Sequence, residues 1–133
     1  MKIFADTNVL ISAFTARGLC ADLLEVILAD HQLITGEFVL QELHRVLVEK
    51  LKVPERKVSE VLQFLRKHHI EPIPDEPSRI KVRDKDDRWV LESAIRAKAD
   101  ILVTGDKDLL AVSKKVSQLK IISPRGFWEF LQK

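Results

Sequence analysis

Two rhythms alternate along this chain. Short apolar runs with no polar interruption are separated by longer stretches in which apolar residues return every three or four positions. The runs read as buried strands: Lys2 to Ala5, ending at Asp6; Gln32 to Thr35, stopped by Gly36; a short one at Glu71 to Ile73; Ile101 to Thr104, the clearest of all; and Lys120 to Ile122. The stretches read as helices. Val9 to Phe14 has the look of first helical turns, and Cys20 to Ala29 carries Leu23, Leu24, Ile27 and Leu28 on one face. Glu37 to Leu51 reads as one long helix, and Pro54 opens another at the first-turn position that proline tolerates, running to about Lys67. Prolines 72, 74 and 77 mark a loop before a helix from about Asp84 to Ala99. Gly105 turns the chain, Leu109 to Val116 forms a short helix, and Ser123 with Pro124 caps and opens the last one. Strands that are apolar on both faces and separated by helices imply a parallel sheet covered on both sides. The fold class is therefore α/β, a three-layer α/β/α sandwich with a central parallel sheet.

Composition narrows this little further. At 133 residues the chain is expected to be one domain, residues 1–133. No apolar run approaches the roughly 20 residues of a membrane span, and Asp6 interrupts the apolar N-terminus too early for a signal peptide, so a cytoplasmic location is expected. Cys20 stands alone, which excludes an internal disulfide and a cysteine zinc cage; a free buried thiol is expected. The formal charge of +2 does not by itself announce a nucleic-acid ligand. Its distribution is more suggestive. Lys50, Lys52, Arg56 and Lys57 form one basic cluster, and Arg79, Lys81, Arg83, Lys85 and Arg88 form another that runs into three aspartates, although a solvated face explains either cluster as well.

The acids are where chemistry is expected. In an open parallel sheet, function gathers beyond the carboxyl ends of the strands. Asp6 closes the first strand, and Asp106 follows Ile101 to Thr104 after one glycine, though either acid also serves as a helix cap. At about 100° per residue, Glu42 falls between Phe38 and the pair Val39 and Val46, inside an apolar arc where a carboxylate needs a partner. Asp87 shares a face with Val90, Leu91 and Ala94, although an acid in a first turn also suits the helix dipole. If the four converge, their unpaired charges cost several kcal/mol, which a divalent cation removes. Oxygen-only ligation points to magnesium or manganese rather than zinc. Asn8, Thr104 and Asp108 lie near enough in sequence to serve as outer ligands or water holders. His31, His44, His68 and His69 have no metal spacing and are assigned to the surface.

Asp6-Thr7-Asn8 after an apolar strand, one helical glutamate at 42, Asp87 leading Val90, Leu91 and Ala94, and Val103-Thr104-Gly105-Asp106-Lys107-Asp108-Leu109 together resemble the PIN domain. The resemblance spans essentially the whole chain, with its first and last motifs the most specific. It implies sheet order 3-2-1-4-5 and a nuclease site of Asp6, Glu42, Asp87 and Asp106, with Asn8, Thr104 and Asp108 beside them. Asp84 and Asp86 compete with Asp87 for the third place; the apolar spacing that follows favours Asp87. The length and the helix pair between 37 and 67 are similar to VapC-type ribonucleases, toxins of toxin-antitoxin pairs, which implies a homodimer neutralised by a small antitoxin. The reaction so implied is hydrolysis of RNA phosphodiesters. Metal held by Asp6 and Asp106, with Asp87 as a further ligand or water-mediated neighbour, activates water, Glu42 orients a second metal or that water, and the basic segments hold the RNA backbone.

Two rivals stand against this. An aspartyl phosphatase places a second aspartate two residues after its nucleophile, where this chain has Asn8, which cannot donate the proton. A catalytically inactive RNA-binding or protein-docking PIN module is expected to have lost one of the acids, and this chain keeps all four. No glycine-rich phosphate loop follows the first strand, which argues against nucleotide binding.

Overall fold

The computed structural model describes the whole chain, Met1 to Lys133. Five strands, β1 (Lys2–Ala5), β2 (Gln32–Gly36), β3 (His69–Glu71), β4 (Ile101–Val103) and β5 (Lys120–Ile122), pair entirely in parallel in the order β3-β2-β1-β4-β5. Helices α1 (Thr7–Thr15) and α2 (Leu19–Asp30) join β1 to β2, and α3 (Glu37–Arg45) and α4 (Glu55–Leu65) join β2 to β3. Helix α5 (Lys85–Arg96) leads into β4, α6 (Lys107–Ala111) into β5, and α7 (Pro124–Leu131) closes the chain. In β1, the consecutive residues Ile3, Phe4 and Ala5 are all at most 1% exposed, as are Leu102 and Val103 of β4. Neighbouring strand residues point to opposite faces, so both faces of the sheet are covered by helices, as the unbroken apolar runs require. No helix is long and apolar enough to cross a membrane.

Several boundaries differ from the sequence reading, each for a local reason. The third strand is His69–Glu71 rather than Glu71 to Ile73: its partner in β2 is set by Ile34 facing His69, and Pro72 has no N–H to continue the ladder. The long helix from Glu37 stops at Arg45 and passes into one π turn, Val46–Lys50, where Leu51 N–H reaches back five residues to the Val46 carbonyl. This wider turn keeps Leu47 buried while the chain bends through Lys52, at φ 55°, toward Pro54. Pro54 is the cap of α4, not its first residue, its carbonyl accepting from Lys57 and Val58. Helix α5 ends at Arg96 because Lys98 adopts φ 59°. The stretch Leu109 to Val116 begins early, at Lys107 under the Asp106 cap, and breaks at Val112 into a single 3-10 turn. Ser123 does cap α7, accepting from Gly126 N–H at 3.0 Å, with Pro124 first in the helix. Cys20 is half-buried rather than buried; burial pushes its thiol up, partly offset by a bond with Ser12.

The apolar stripe of α4 is divided. Val58 and Leu65 are 0% exposed inside this chain's own core, whereas Val61 and Leu62 are half-buried against it. Leu65→Ala is accordingly expected to lower the unfolding free energy by about 2–5 kcal/mol in urea, and Leu62→Ala by clearly less. Equal losses would mean that the outer half of the stripe is as tightly packed as the inner.

Candidate metal centre

Strands β1 and β4 are neighbours where the chain's progress across the sheet reverses, and crevices of parallel sheets open at the carboxyl ends of such a pair. Ala5 lies opposite Val103, so the residues that follow, Asp6 and Thr104, emerge side by side. Asp6 N–H donates to the Val103 carbonyl at 3.1 Å, extending the ladder by one bond. The Thr104 hydroxyl donates to Asp6 Oδ2 at 2.7 Å and accepts from Asp106 N–H at 3.0 Å. Asp6 Oδ1 accepts from Thr7 N–H at 2.7 Å. Asn8 spans the two strand ends: its Oδ1 accepts from Gly105 N–H at 2.8 Å, and its Nδ2 makes long 3.4 Å contacts to Asp6 Oδ2 and Thr104 Oγ1. A Cβ at position 105 would meet Asn8 Oδ1 at 3.4 Å, an ordinary contact, so the crossing does not depend on glycine there. Asp6 and Thr104 are 3% and 0% exposed.

Capping and clustering, alternatives in the sequence, coincide in the structure. Asp6 caps α1, Asp84 caps α5 by accepting from Asp86 N–H at 2.9 Å, and Asp106 caps α6 by accepting from Asp108 N–H at 2.8 Å. Three helix N-termini, each carrying partial positive charge, therefore begin at this group of acids. Asp87, one turn into α5, is 7% exposed and shares its face with buried Val90, Leu91 and Ala94; Asp86 is exposed. Carboxylate oxygens of Asp84, Asp87 and Asp108 lie within 4.8 Å of one another. Asp84 thus stands with Asp87 instead of competing with it. Asp108, expected only in an outer role, stands with Asp84 and Asp87 because α5 and α6 begin side by side.

Glu42 stands at the margin of the group. It is half-buried at the edge of the apolar arc, with Val39 and Leu43 fully buried to one side. Its Oε2 is 4.0 Å from Arg45 Nη2, a partly exposed pair one helical turn apart that contributes little to stability. Its charge nonetheless reaches Asp6. Burial raises Asp6 to a pKa of about 6, opposed by the Thr104 hydroxyl and Thr7 N–H and reinforced by the charges of Glu42 and Asp106. Asp87 is raised further, to about 8, by burial first, then by Asp106 as proton-sharing neighbour and like charge, with Asp6 and Asp84 adding to it.

A hard divalent cation fits this arrangement on two observations. The donor set is entirely oxygen, and its aspartates, Asp6, Asp84, Asp87, Asp106 and Asp108, carry negative charge that no lysine or arginine of the chain pairs, Arg45 reaching only Glu42 at 4.0 Å. In addition, Asp87 Oδ2 is buried with no hydrogen-bond partner, an unusual cost for a native chain unless a ligand meets it. The basic clusters lie outside the group: Lys50, Lys52, Arg56, Lys57, Arg79, Lys81, Arg83 and Lys85 are exposed, while Arg88 is half-buried with Nε donating to the Ser78 carbonyl at 3.1 Å. None of the four histidines is buried.

A family model described as "PIN domain" matches residues 2–108. Among solved structures, the chain is similar to that of VapBC2 from Rickettsia felis bound to a promoter DNA fragment, with a TM-score of 0.69 and 20% identity over 92% of this chain and 98% of that one. FitAB bound to a DNA fragment gives a TM-score of 0.66 at 16% identity over 92% and 94%. Mycobacterium tuberculosis VapC20, described as a toxin that cleaves the sarcin-ricin loop, gives 0.61 at 14% over 83% and 94%. No curated protein matches the sequence. At these identities the structural likeness concerns the fold.

The raised acids set a pH dependence. Folded Asp6 and Asp87 hold protons up to about pH 6 and 8, whereas in the unfolded chain they release them near the ordinary value of 3.8. The folded state binds more protons across that window, so metal-free stability is fullest below about pH 4 for these two groups and falls as pH rises to about 8. Glu37, lowered by Arg66, acts in the opposite direction only below its ordinary value of 4.5. Denaturant unfolding in chelator is expected to show a loss on the order of a few kcal/mol between about pH 5 and pH 8.5, flattened in Asp87→Asn. A metal-free stability that is level or rising over that range would contradict the buried-acid geometry.

Proposed function

From the premise that this chain belongs to the PIN-domain family, we propose that it is a magnesium- or manganese-dependent endoribonuclease, a single PIN domain over residues 1–133, acting as the toxin of a toxin-antitoxin pair. The observation that carries the proposal is the buried, unpartnered carboxylate oxygen of Asp87 among the like charges of Asp6, Asp84, Asp106 and Asp108. Asp6, Asp87, Asp106 and Glu42 would hold the cation, with Asp84 and Asp108 completing the shell. When bound, such an ion supplies Lewis acidity toward a phosphoryl oxygen and lowers the pKa of water.

The chain's own residues do the rest. Thr104 fixes the Asp6 carboxylate by one short hydrogen bond and, through Asp106 N–H, ties the second strand end to it. Asn8 holds the Gly105 turn at its set distance from Asp6. The helix N-termini above Asp6, Asp84 and Asp106 offset part of the repulsion before any cation arrives. Glu42, at the margin and within charge range of Asp6, would orient a second cation or the attacking water. The exposed cations from Arg79 to Lys85 and from Lys50 to Lys57 supply contacts to the phosphate backbone that are indifferent to sequence. VapC20 is described as a sarcin-ricin loop cleaving toxin, which favours an RNA substrate for this chain, and VapBC2 and FitAB are described as DNA-bound; a small antitoxin partner and a cytoplasmic setting belong to the toxin reading proposed here.

The test combines cleavage of a generic single-stranded RNA with thermal unfolding. Manganese is expected to raise the melting temperature of the wild type and to do so far less for Asp6→Asn or Asp106→Asn. Glu42→Gln is expected to leave metal-free stability equal or slightly higher, since it removes repulsion, while cleavage falls by orders of magnitude. A Glu42→Gln protein that is destabilised yet fully active would assign this residue to Arg45 instead. We also propose a homodimer. The proposal stands on the family resemblance and on the apolar stripe of α4, of which Val58 and Leu65 are buried within the monomer and only the half-buried Val61 and Leu62 are left to meet a second copy. Light scattering at high micromolar concentration is expected to give twice the chain mass, and the chain mass alone would exclude the dimer.

A further inference from the structure

Phe38 and Trp89 stack across the gap between α3 and α5, with ring centroids 6.2 Å apart and planes inclined by only 20°. At that separation, nearly parallel rings are slipped sideways, so neither covers the whole face of the other; Phe38 also packs against the core, whereas Trp89 does not join it. Both residues are half-buried. Their placement is specific. Phe38 lies in the first turn of α3, one helical turn before Glu42 and on the same face, whereas Trp89, two positions after Asp87, leaves α5 on roughly the opposite side from that acid and turns toward α3. Both helices start beyond the carboxyl ends of the strands, so the pair stands on the Glu42 side of the acids. Elsewhere these helices meet the core through aliphatic side chains, Val39 and Leu40 in α3 and Val90 and Leu91 in α5. The chain spends two of its eight aromatic residues where an aliphatic contact would have closed the seam.

We propose that Phe38 and Trp89 form a stacking platform for an unpaired base of single-stranded RNA, next to the phosphate presented to the acids. The inference rests on the nuclease reading and names what that site grips besides phosphate. An RNA strand at the acids must be held by contacts other than charge alone, because the acids repel its backbone. Exposed Arg83 precedes α5 and exposed Lys85 opens it; both meet phosphates, while the aromatic pair offers a face for the base between them. Every base has such a face, so the platform grips without reading sequence and selects unpaired over paired nucleotides.

The chain has two tryptophans, and Trp128→Phe leaves Trp89 as the only fluorophore. In that background, with chelator present so that metal-dependent cleavage cannot occur, a short oligouridylate is expected to quench the emission. An abasic ribose-phosphate oligomer and duplex RNA are expected to leave it nearly unchanged. Trp89→Leu, which keeps apolar bulk but has no ring face, and Phe38→Ala are expected to weaken oligouridylate binding about tenfold by anisotropy; Trp89→Phe is expected to restore most of it. Melting curves identify any variant that has lost its fold. Absence of quenching, equal quenching by the abasic strand, or unchanged affinity in folded Trp89→Leu would each overturn the platform. The two readings fail separately: quenching without cleavage in manganese sinks the nuclease and keeps the platform. Cleavage with an unaltered KM in Trp89→Leu does the reverse.

Discussion

The structure is organised around a repulsion. Carboxylates from four separate parts of the chain meet at one edge of a parallel sheet, and two of them, Asp6 and Asp87, are buried deeply enough to hold protons well above the ordinary aspartate range. A fold tolerates this only where something local opposes the cost. Here the opposition is the Thr104 hydroxyl on Asp6, the backbone N–H groups that the acids cap, and the N-termini of α1, α5 and α6. Sheet order follows from the same requirement. With β1 beside β4, one register step brings Asp6 and Thr104 together; with any other neighbour for β1 the hydroxyl would be elsewhere.

Much of this was legible in the sequence because strand-end and helix-face positions obey short-range geometry. The parallel, doubly covered sheet followed from uninterrupted apolar runs, and the inward face of Asp87 from Val90, Leu91 and Ala94. Boundaries were less legible where tertiary pairing or backbone conformation decides. His69 is in β3 because Ile34 is opposite it, and the helix after Glu37 ends where a π turn accommodates the bend to Lys52. Neither event has a residue signature at the place where it happens.

The site divided in the same way. Asp6 and Asp106 were legible as strand-end acids, but whether each was a cap or a cluster member was posed as a choice, and the structure gives both roles to one carboxylate. The closeness of Asp84 and Asp108 to Asp87 depends on how α5 and α6 lie against each other, which periodicity within one helix does not contain. The apolar arc around Glu42 predicts enclosure, yet its position at the arc's edge leaves it half-buried. The stacking of Phe38 and Trp89 has no signature in the sequence, because the residues are far apart in the chain and each is ordinary in its own helix.

The double role of the capping acids bears on how such a protein drifts. Asparagine caps a helix about as well as aspartate does, so the backbone N–H groups at positions 7, 86 and 108 would keep their acceptors after an Asp-to-Asn exchange at 6, 84 or 106. The scaffold therefore has little stake in the charges it carries. Stability alone does not hold them in place: a chain with asparagine at one or more of these positions keeps its helix caps and with them the architecture, so the fold and the charge at this sheet end can change independently.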